Sequence, residues 1–338
     1  MARRRPSADE LVAGLQAGDR GVLARAITLA ESRRADDREL AQEVIARVLP
    51  PQDRPSTARR VGMTGVPGAG KSTTIEALGV WLVEQGHKVA VLAVDPSSTR
   101  QGGSILGDKT RMQRLGNLDD AYIRPSPSSG VLGGVARRTR EAMILCEAAG
   151  FDVVIVESVG VGQSEAELAE LVDCVVLLLV PGAGDELQGI KRGIVEVADL
   201  IVVNKADGER EALARRAAGD YRHALRMLPE ATPGWKTQVL TASATEGTGV
   251  TETWAAIEEH RAHLESDGGL ARRRAGQQRR WLQAQIDEGV LAAFAERAGV
   301  AEALDAAFAG VAEGRVTVPQ AAAQVLEVGF GPGAPPER

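Results

Sequence analysis

A chain of 338 residues, 44% hydrophobic and 25% charged, is long enough for one large α/β domain with smaller helical additions, and its composition is that of an ordinary globular protein. Its formal net charge of −6 argues against a general nucleic-acid binder. No apolar run approaches the roughly 18 residues of a membrane helix, and no secretory leader is visible. The two cysteines, Cys146 and Cys174, lie in apolar contexts without metal-ligand spacing, and the four histidines are scattered. Buried thiols in a cytoplasmic, reducing compartment are expected, with neither a disulfide framework nor a protein-held transition metal.

Residues 1–55 read as a helical segment. Ser7-Ala-Asp-Glu10 has the form of a capping box, and Leu11, Val12 and Leu15 share one helical face behind it. Gly18 breaks that helix and Asp19 can cap the next, in which Leu23, Ile27 and Ala30 recur at helical spacing. Leu40, Val44 and Val48 repeat the pattern once more before a Pro-rich loop. These helices are expected to cover the edge of a sheet, with a partner surface as the alternative.

Residues 56–265 change to alternating strands and helices. Strands are predicted at 60–65, 88–94, 121–124, 151–156, 173–180, 199–204 and 237–242. Helices are predicted at 71–85, 135–149, 188–197, 209–227 and 250–263. Continuous apolar strands of this kind indicate a mostly parallel sheet covered by helices on both faces, with ligands at the C-terminal strand ends. Asp267-Gly-Gly269 reads as a linker into a helical extension over 266–330, and residues 331–338, rich in Gly and Pro, read as a disordered tail. The basic run Arg272-Arg-Arg274 is expected to be a solvated helix face or an acidic-partner contact rather than an RNA site.

The chemistry-bearing motifs fall at the predicted strand ends. Gly65-Val-Pro-Gly-Ala-Gly-Lys-Ser72 is GxxxxGK[ST] between an apolar strand and a helix, so the chain is expected to adopt a P-loop NTPase fold. The backbone from Gly65 through Pro67, Gly68, Ala69 and Gly70 can curl its N–H groups around phosphate oxygens. The helix opening at Lys71, Ser72 and Thr73 adds unpaired N–H groups and a positive dipole end. Lys71 can reach the β/γ-phosphates, and the Ser72 hydroxyl can ligate Mg²⁺. Asp95 closes the next core strand, where a carboxylate can hold Mg²⁺, directly or through water, or orient a water; an Asx-type turn before Pro96 is the alternative. Asp108 is a further Mg²⁺ candidate that could equally cap a helix. Phe151-Asp-Val-Val-Ile-Val-Glu157 places Glu157 at the Walker-B position, and Gly160 and Gly162 after it suit a switch loop that also contains Gln163. The segment 181–192, with Gln188 and Lys191, can likewise exchange partners between nucleotide states, or be an ordinary strand-to-helix loop.

Base choice is read from Asn204-Lys-Ala-Asp207. Two carboxylate oxygens of Asp207 match the N1–H and 2-amino protons of guanine, whereas adenine presents an acceptor at N1 and would leave the carboxylate unpaired. Asn204 can brace the loop, the stem of Lys205 can lie over the ring, and Ser243 and Ala244 end the following strand as the last guanine-binding loop. GTP rather than ATP is therefore expected.

Taken together, Gly65–Ser72, Asp95-Pro-Ser-Ser98, Gly102–Arg111, Glu157–Ser164, Pro181–Lys191 and Asn204–Asp207 resemble the MeaB/MMAA/ArgK family of P-loop GTPases over nearly the whole chain, least after residue 265. The resemblance implies a homodimer in which the C-terminal extension contributes to dimerisation. It implies GTP/GDP and Mg²⁺ as ligands, with Lys71, Asp95 and Glu157 catalytic and Ser72, Asp95, Asp108 and Glu157 at the metal. It also implies a GTP-timed chaperone that gates adenosylcobalamin loading of methylmalonyl-CoA mutase, or a related acyl-CoA mutase, and protects or reactivates it. An older family label, an arginine/ornithine-type transport ATPase, finds no support in a membrane segment or in NKxD. A metallochaperone or insertase GTPase and a GTP-dependent assembly scaffold are the alternatives in other classes.

Overall fold

The computed structural model describes residues 5–32, 34–51, 53–95, 112–127, 132–158, 164–181 and 192–331. Seven strands form one sheet: β1 (Arg59–Gly65), β2 (Val89–Asp95), β3 (Ala121–Pro127), β4 (Val153–Glu157), β5 (Cys174–Leu179), β6 (Leu200–Val203) and β7 (Gln238–Thr241). Their spatial order is β3-β2-β4-β1-β5-β6-β7, and every pairing is parallel. The strand leading into Gly65–Ser72 therefore lies at the centre, between β4 and β5. Parallel strands need crossover connections, and the helices that supply them cover both faces.

Alternation along the strands decides which face each residue serves. Val61, Met63, Val153, Ile155, Cys174, Val176, Leu178, Leu200 and Val202 point to one face. There they pack on α4 (Lys71–Glu84) and on Trp254 and Ile257 of α10 (Val250–Ser266). The opposite face is covered in two parts. Ala90, Leu92, Tyr122, Val154 and Val156 join Met143, Leu145 and Cys146 of α6 (Leu132–Ala148). Leu177, Leu179, Ile201 and Val203 join Ile194 and Val195 of α8 (Arg192–Glu196) and Ala214, Ala218 and Tyr221 of α9 (Glu211–Leu225). Two short helices, α5 (Gln113–Gly116) and α7 (Ser164–Ala169), have too few residues to show a period in the sequence.

The N-terminal helices are α1 (Ala8–Gln16), α2 (Arg20–Glu31) and α3 (Ala35–Val48). Ser7 and Glu10 complete the capping box, and the Asp19 carboxylate accepts from the Gly21 and Val22 N–H groups. The three helices pack mainly on the outer side of α6, making a further layer over the sheet face rather than a cover for its edge. They reach the edge strand β3 at Arg124, which ion-pairs with Glu31 and donates to the Thr28 hydroxyl of α2. Leu11, Leu15, Leu23 and Ile27 are essentially inaccessible, which no isolated helical hairpin would achieve.

The chain divides into two compact units, Met1–Ala275 and Gly276–Arg338. Helix α11 (Gly269–Ala295) follows α10 after a turn of two residues, in which the Asp267 carboxylate accepts the Gly269 N–H. The basic run at its start is not a solvated face. Arg274 binds both carboxylate oxygens of Asp173 at 2.9 and 2.6 Å and donates to the Ser56 and Ala58 carbonyls. Arg273 pairs with Asp199, while Arg272 stays exposed beside Asp267. Asp173 and Asp199 immediately precede β5 and β6 and are almost fully buried, so each requires a cation that the sequence supplies from a distant helix. In the second unit α12 (Val300–Ala312) and α13 (Val318–Phe330) complete the chain. Thr317 and Gln320 form a capping box at the start of α13, and Phe294 stacks on Phe330 with ring centroids 4.9 Å apart.

Candidate nucleotide site

The phosphate loop leaves β1 through a backbone that only glycine accepts. Gly65 has φ 149°, and a Cβ there would lie 2.2 Å from the Leu178 carbonyl oxygen of β5. Gly70 has φ 88°, and a Cβ there would meet Asn204 Nδ2 at 2.6 Å. Pro67 and Gly68 are exposed at the crest of the loop, and Ala69 is buried beneath it. Gly70 is the N-cap of α4 and offers no capping side chain, and the first turn of α4 holds no acid. The N–H groups and positive end of the helix are thereby left for an anion. Thr73 lies exposed in that first turn.

Lys71 is half-buried, and its Nζ donates to the carbonyls of Gly65 (2.8 Å) and Val66 (3.4 Å). Desolvation pulls its pKa down, with the nearby Glu157 carboxylate opposing that shift. The Ser72 hydroxyl donates to Glu157 Oε1 at 2.9 Å, so the ends of α4 and β4 bring a hydroxyl and a carboxylate together. Two hard oxygen donors at this separation suit Mg²⁺. Asp95 is the last residue of β2, two strands from β1, and its side chain lies outside what is described. Asp108, Gly160, Gly162, Gln163, Gln188 and Lys191 lie outside the described residues altogether.

The residues expected to recognise the base form a connected network. Asn204 is buried; its Nδ2 donates to the Ala69 carbonyl (2.8 Å) and Thr74 Oγ1 (3.2 Å), and its Oδ1 accepts the Ala244 N–H (3.2 Å). One amide therefore joins the phosphate loop, the end of β6 and the loop after β7. Ser243, fully buried, donates its hydroxyl to Asp207 Oδ2 at 2.6 Å. An oxygen with two lone pairs can hold Ser243 and still accept from a base, so the carboxylate is oriented without being used up. Lys205 is the one non-glycine with positive φ among the described residues, at 61°. Such a conformation costs roughly 1–3 kcal/mol and persists where surrounding structure enforces it. Here Ala206 N–H donates to the Ala242 carbonyl and holds the turn. Thr74 is a participant that sequence reading passed over. Its hydroxyl donates to the Gly70 carbonyl while accepting from Asn204, and its place after Lys-Ser-Thr was the available signal.

Cys174, Asp199 and His260 are the group among the described residues whose donor atoms lie close enough to suggest a metal, within 4.8 Å of one another. Asp199 is already saturated. It accepts from Val175 N–H (2.8 Å), Thr232 Oγ1 (2.6 Å), Arg273 (3.2 Å) and the His260 ring. Burial alone would raise its pKa, but these partners hold it at about 2. Burial pushes the Cys174 thiol well above its ordinary value, so it stays protonated. This cluster is an ion-pair network at the N-terminal strand ends, remote in the topology from the phosphate loop.

A central strand feeding a glycine-rich loop and an uncapped helix, with a Walker-B acid on the neighbouring strand and an NKxD lock beyond it, defines a P-loop GTPase. The sequence model of the family described as methylmalonyl Co-A mutase-associated GTPase MeaB matches residues 23–298, and the chain belongs to that family. It is 50% identical over 282 residues to the GTPase ArgK of Escherichia coli, covering 83% of this chain and 84% of that one. It is 49% identical over 302 residues to the mitochondrial methylmalonic aciduria type A homolog of Mus musculus, covering 87% and 72%. Among solved structures, one titled LAO/AO transport system kinase superposes with a TM-score of 0.76 at 37% identity, covering 97% of this chain and 99% of that one. Among the described residues no helix is long and apolar enough to cross a membrane.

Proposed function

We propose that this GTPase is a cytoplasmic chaperone that gates adenosylcobalamin loading of methylmalonyl-CoA mutase, or a related acyl-CoA mutase, and protects or reactivates that enzyme. The observation that carries the reading is the Asn204 lock: one amide of the NKxD sequence bonds both the phosphate loop and the loop after β7, within a family described by its association with this mutase. Cobalamin is handled by the mutase and an adenosyltransferase, so no cobalamin site is assigned to this chain.

Within the site Lys71, the loop N–H groups and the start of α4 stabilise charge on the γ-phosphate as water attacks in line. Ser72 and Glu157, with Asp95 and Asp108, would hold Mg²⁺, which when bound neutralises the β- and γ-phosphate oxygens. Asp207 and Ser243 select guanine, Asn204 and Ala244 brace the base loop, and the Lys205 stem covers the ring. The segments containing Gly160, Gly162, Gln163, Gln188 and Lys191 act as switches. In this reading intrinsic turnover is slow and rises when the mutase reorders those segments. Steady-state GTP hydrolysis measured with and without the mutase tests this; equal rates would remove the partner-activation claim.

Residues 266–330 serve as the dimerisation extension in this reading. Leu282, Ile286, Val290, Leu291, Phe308 and Phe330 are large apolar side chains about half exposed or more, and a monomer would leave them in water. Sedimentation equilibrium is expected to give twice the chain mass at micromolar concentration; a monomer there would contradict the homodimer.

A further inference from the structure

The end of the P-loop strand and the end of the Walker-B strand are joined by two hydroxyls. Ser158 Oγ donates to Thr64 Oγ1 at 2.8 Å, and both residues are buried, Thr64 completely. Neighbouring inward positions on these strands are apolar (Met63, Ile155, Val156), and a hydroxyl pair is an unusual choice for a core seam. Its place in the ladder is informative. Met63 is in register with Glu157, and the Ser158 N–H donates to the Met63 carbonyl at 3.0 Å. The hydroxyl pair thus continues the β1–β4 pairing one step beyond Glu157. On its other side Glu157 Oε1 accepts the Ser72 hydroxyl. Thr64 is itself held in the sheet, in register with Leu177 of β5 on its other side.

We infer that Thr64 is a positioning residue for GTP hydrolysis: through Ser158 it fixes the backbone at Glu157, and so the distance between the Glu157 carboxylate and the Ser72 hydroxyl at the start of α4. A strand end is where a ladder frays, because the next backbone bond is missing. Here the Ser158 N–H bond to Met63 is reinforced by the side-chain bond between Ser158 and Thr64. Without the side-chain bond the backbone at Glu157 is held to β1 only by the ladder and the Ser158 N–H and is less closely fixed, while Lys71, the loop N–H groups and Asp207 keep their positions. The effect therefore falls on turnover and on divalent-ion dependence rather than on GTP affinity. The inference rests on the GTPase activity and is independent of the proposed mutase partner.

Thr64→Val keeps the side-chain shape and removes the accepting oxygen. Its kcat for GTP is expected to fall about 10-fold, as for a modest loss of positioning, with KM for GTP within about twofold and a higher Mg²⁺ half-saturation. Thr64→Ser is expected to restore both. Thr64→Val/Ser158→Ala is expected to be no slower than the slower single variant, because both changes break one contact. A Thr64→Val enzyme with wild-type kcat and Mg²⁺ dependence overturns the assignment. So does a double variant whose losses multiply, which would mean that the two residues act separately, or a Thr64→Ser enzyme as impaired as Thr64→Val, which would mean that the hydroxyl bond is not what positions Glu157. If Thr64→Val fails to fold by thermal melting, Ser158→Ala takes the same two measurements: a slower enzyme with raised Mg²⁺ requirement supports the inference, and an unchanged one overturns it. The wild-type rate, taken alongside, tests the GTPase activity itself.

Discussion

Lys71→Ala is expected to lower GTP hydrolysis by about 10²–10³-fold, the loss that follows removal of one donor aimed at developing charge. The ammonium is held by carbonyls of its own loop, those of Gly65 and Val66, half-buried over the start of α4. Desolvation already disfavours its charge there, and Glu157 supplies partial compensation. Phosphate oxygens would satisfy that charge better than neutral carbonyls do, which makes the residue a stronger partner for the nucleotide than for its own loop carbonyls. The truncation leaves only two carbonyl oxygens to be solvated, so the melting temperature should move little. Phosphate release under saturating GTP, together with a thermal melt, checks both halves. A variant that binds and hydrolyses GTP as the wild type does would remove Lys71 from the site.

The largest expected effect on stability is at Asp199. Replacing it with asparagine puts an amide NH₂ where one carboxylate oxygen accepted hydrogen bonds, facing donors from Val175, Thr232 or Arg273, and leaves the Arg273 guanidinium without its counter-charge. Breaking a buried pair from one side costs about 3–5 kcal/mol. For a chain of this size the melting temperature should then fall by on the order of 10 °C. The dependence on pH has a definite sign. The Asp199 pKa lies at about 2, below its ordinary 3.8, because His260, Arg273 and Thr232 outweigh the cost of burial. A carboxylate depressed in the folded state contributes stability that is fully present above pH 4 and is lost as pH falls through 2. Melting curves of wild type and Asp199→Asn should therefore be furthest apart near neutrality and converge between pH 4 and pH 2. Curves that coincide at neutral pH would show that the network does not stabilise the fold.

Both variants sit on features that differ in how they are encoded. Lys71 was legible because the phosphate loop is a local motif: its glycines, lysine and serine act within one turn of chain, in a strand–loop–helix context that hydrophobic periodicity reveals. Asp207 was legible for the same reason, since a carboxylate one turn beyond a buried strand carries its own chemical argument. The seven strands and the helices of the sheet were readable from apolar runs and amphipathic spacing, with boundaries within a few residues. Asp199 was invisible as a network centre. Its partners come from 232, 260 and 273, and nothing in the local sequence distinguishes it from any acid before a strand. Arg273 and Arg274 were misjudged for that reason. A run of arginines on a helix is normally solvated, and only the presence of two buried carboxylates at the bases of β5 and β6 reverses the expectation.

The sequence by itself determined the elements and the ligand chemistry: an α/β chain with a phosphate loop, a Walker-B acid and a guanine lock, because each depends on residues a few positions apart. Tertiary structure alone decided what joins them. It put β1 between β4 and β5, ran Asn204 across to Ala69, set Ser158 against Thr64 and laid the N-terminal helices on α6. The physical reason is that a buried polar group must find a partner wherever the chain can bring one. That partner is selected by the packing of the whole sheet, and separations of 94 and 135 residues leave no trace in local pattern.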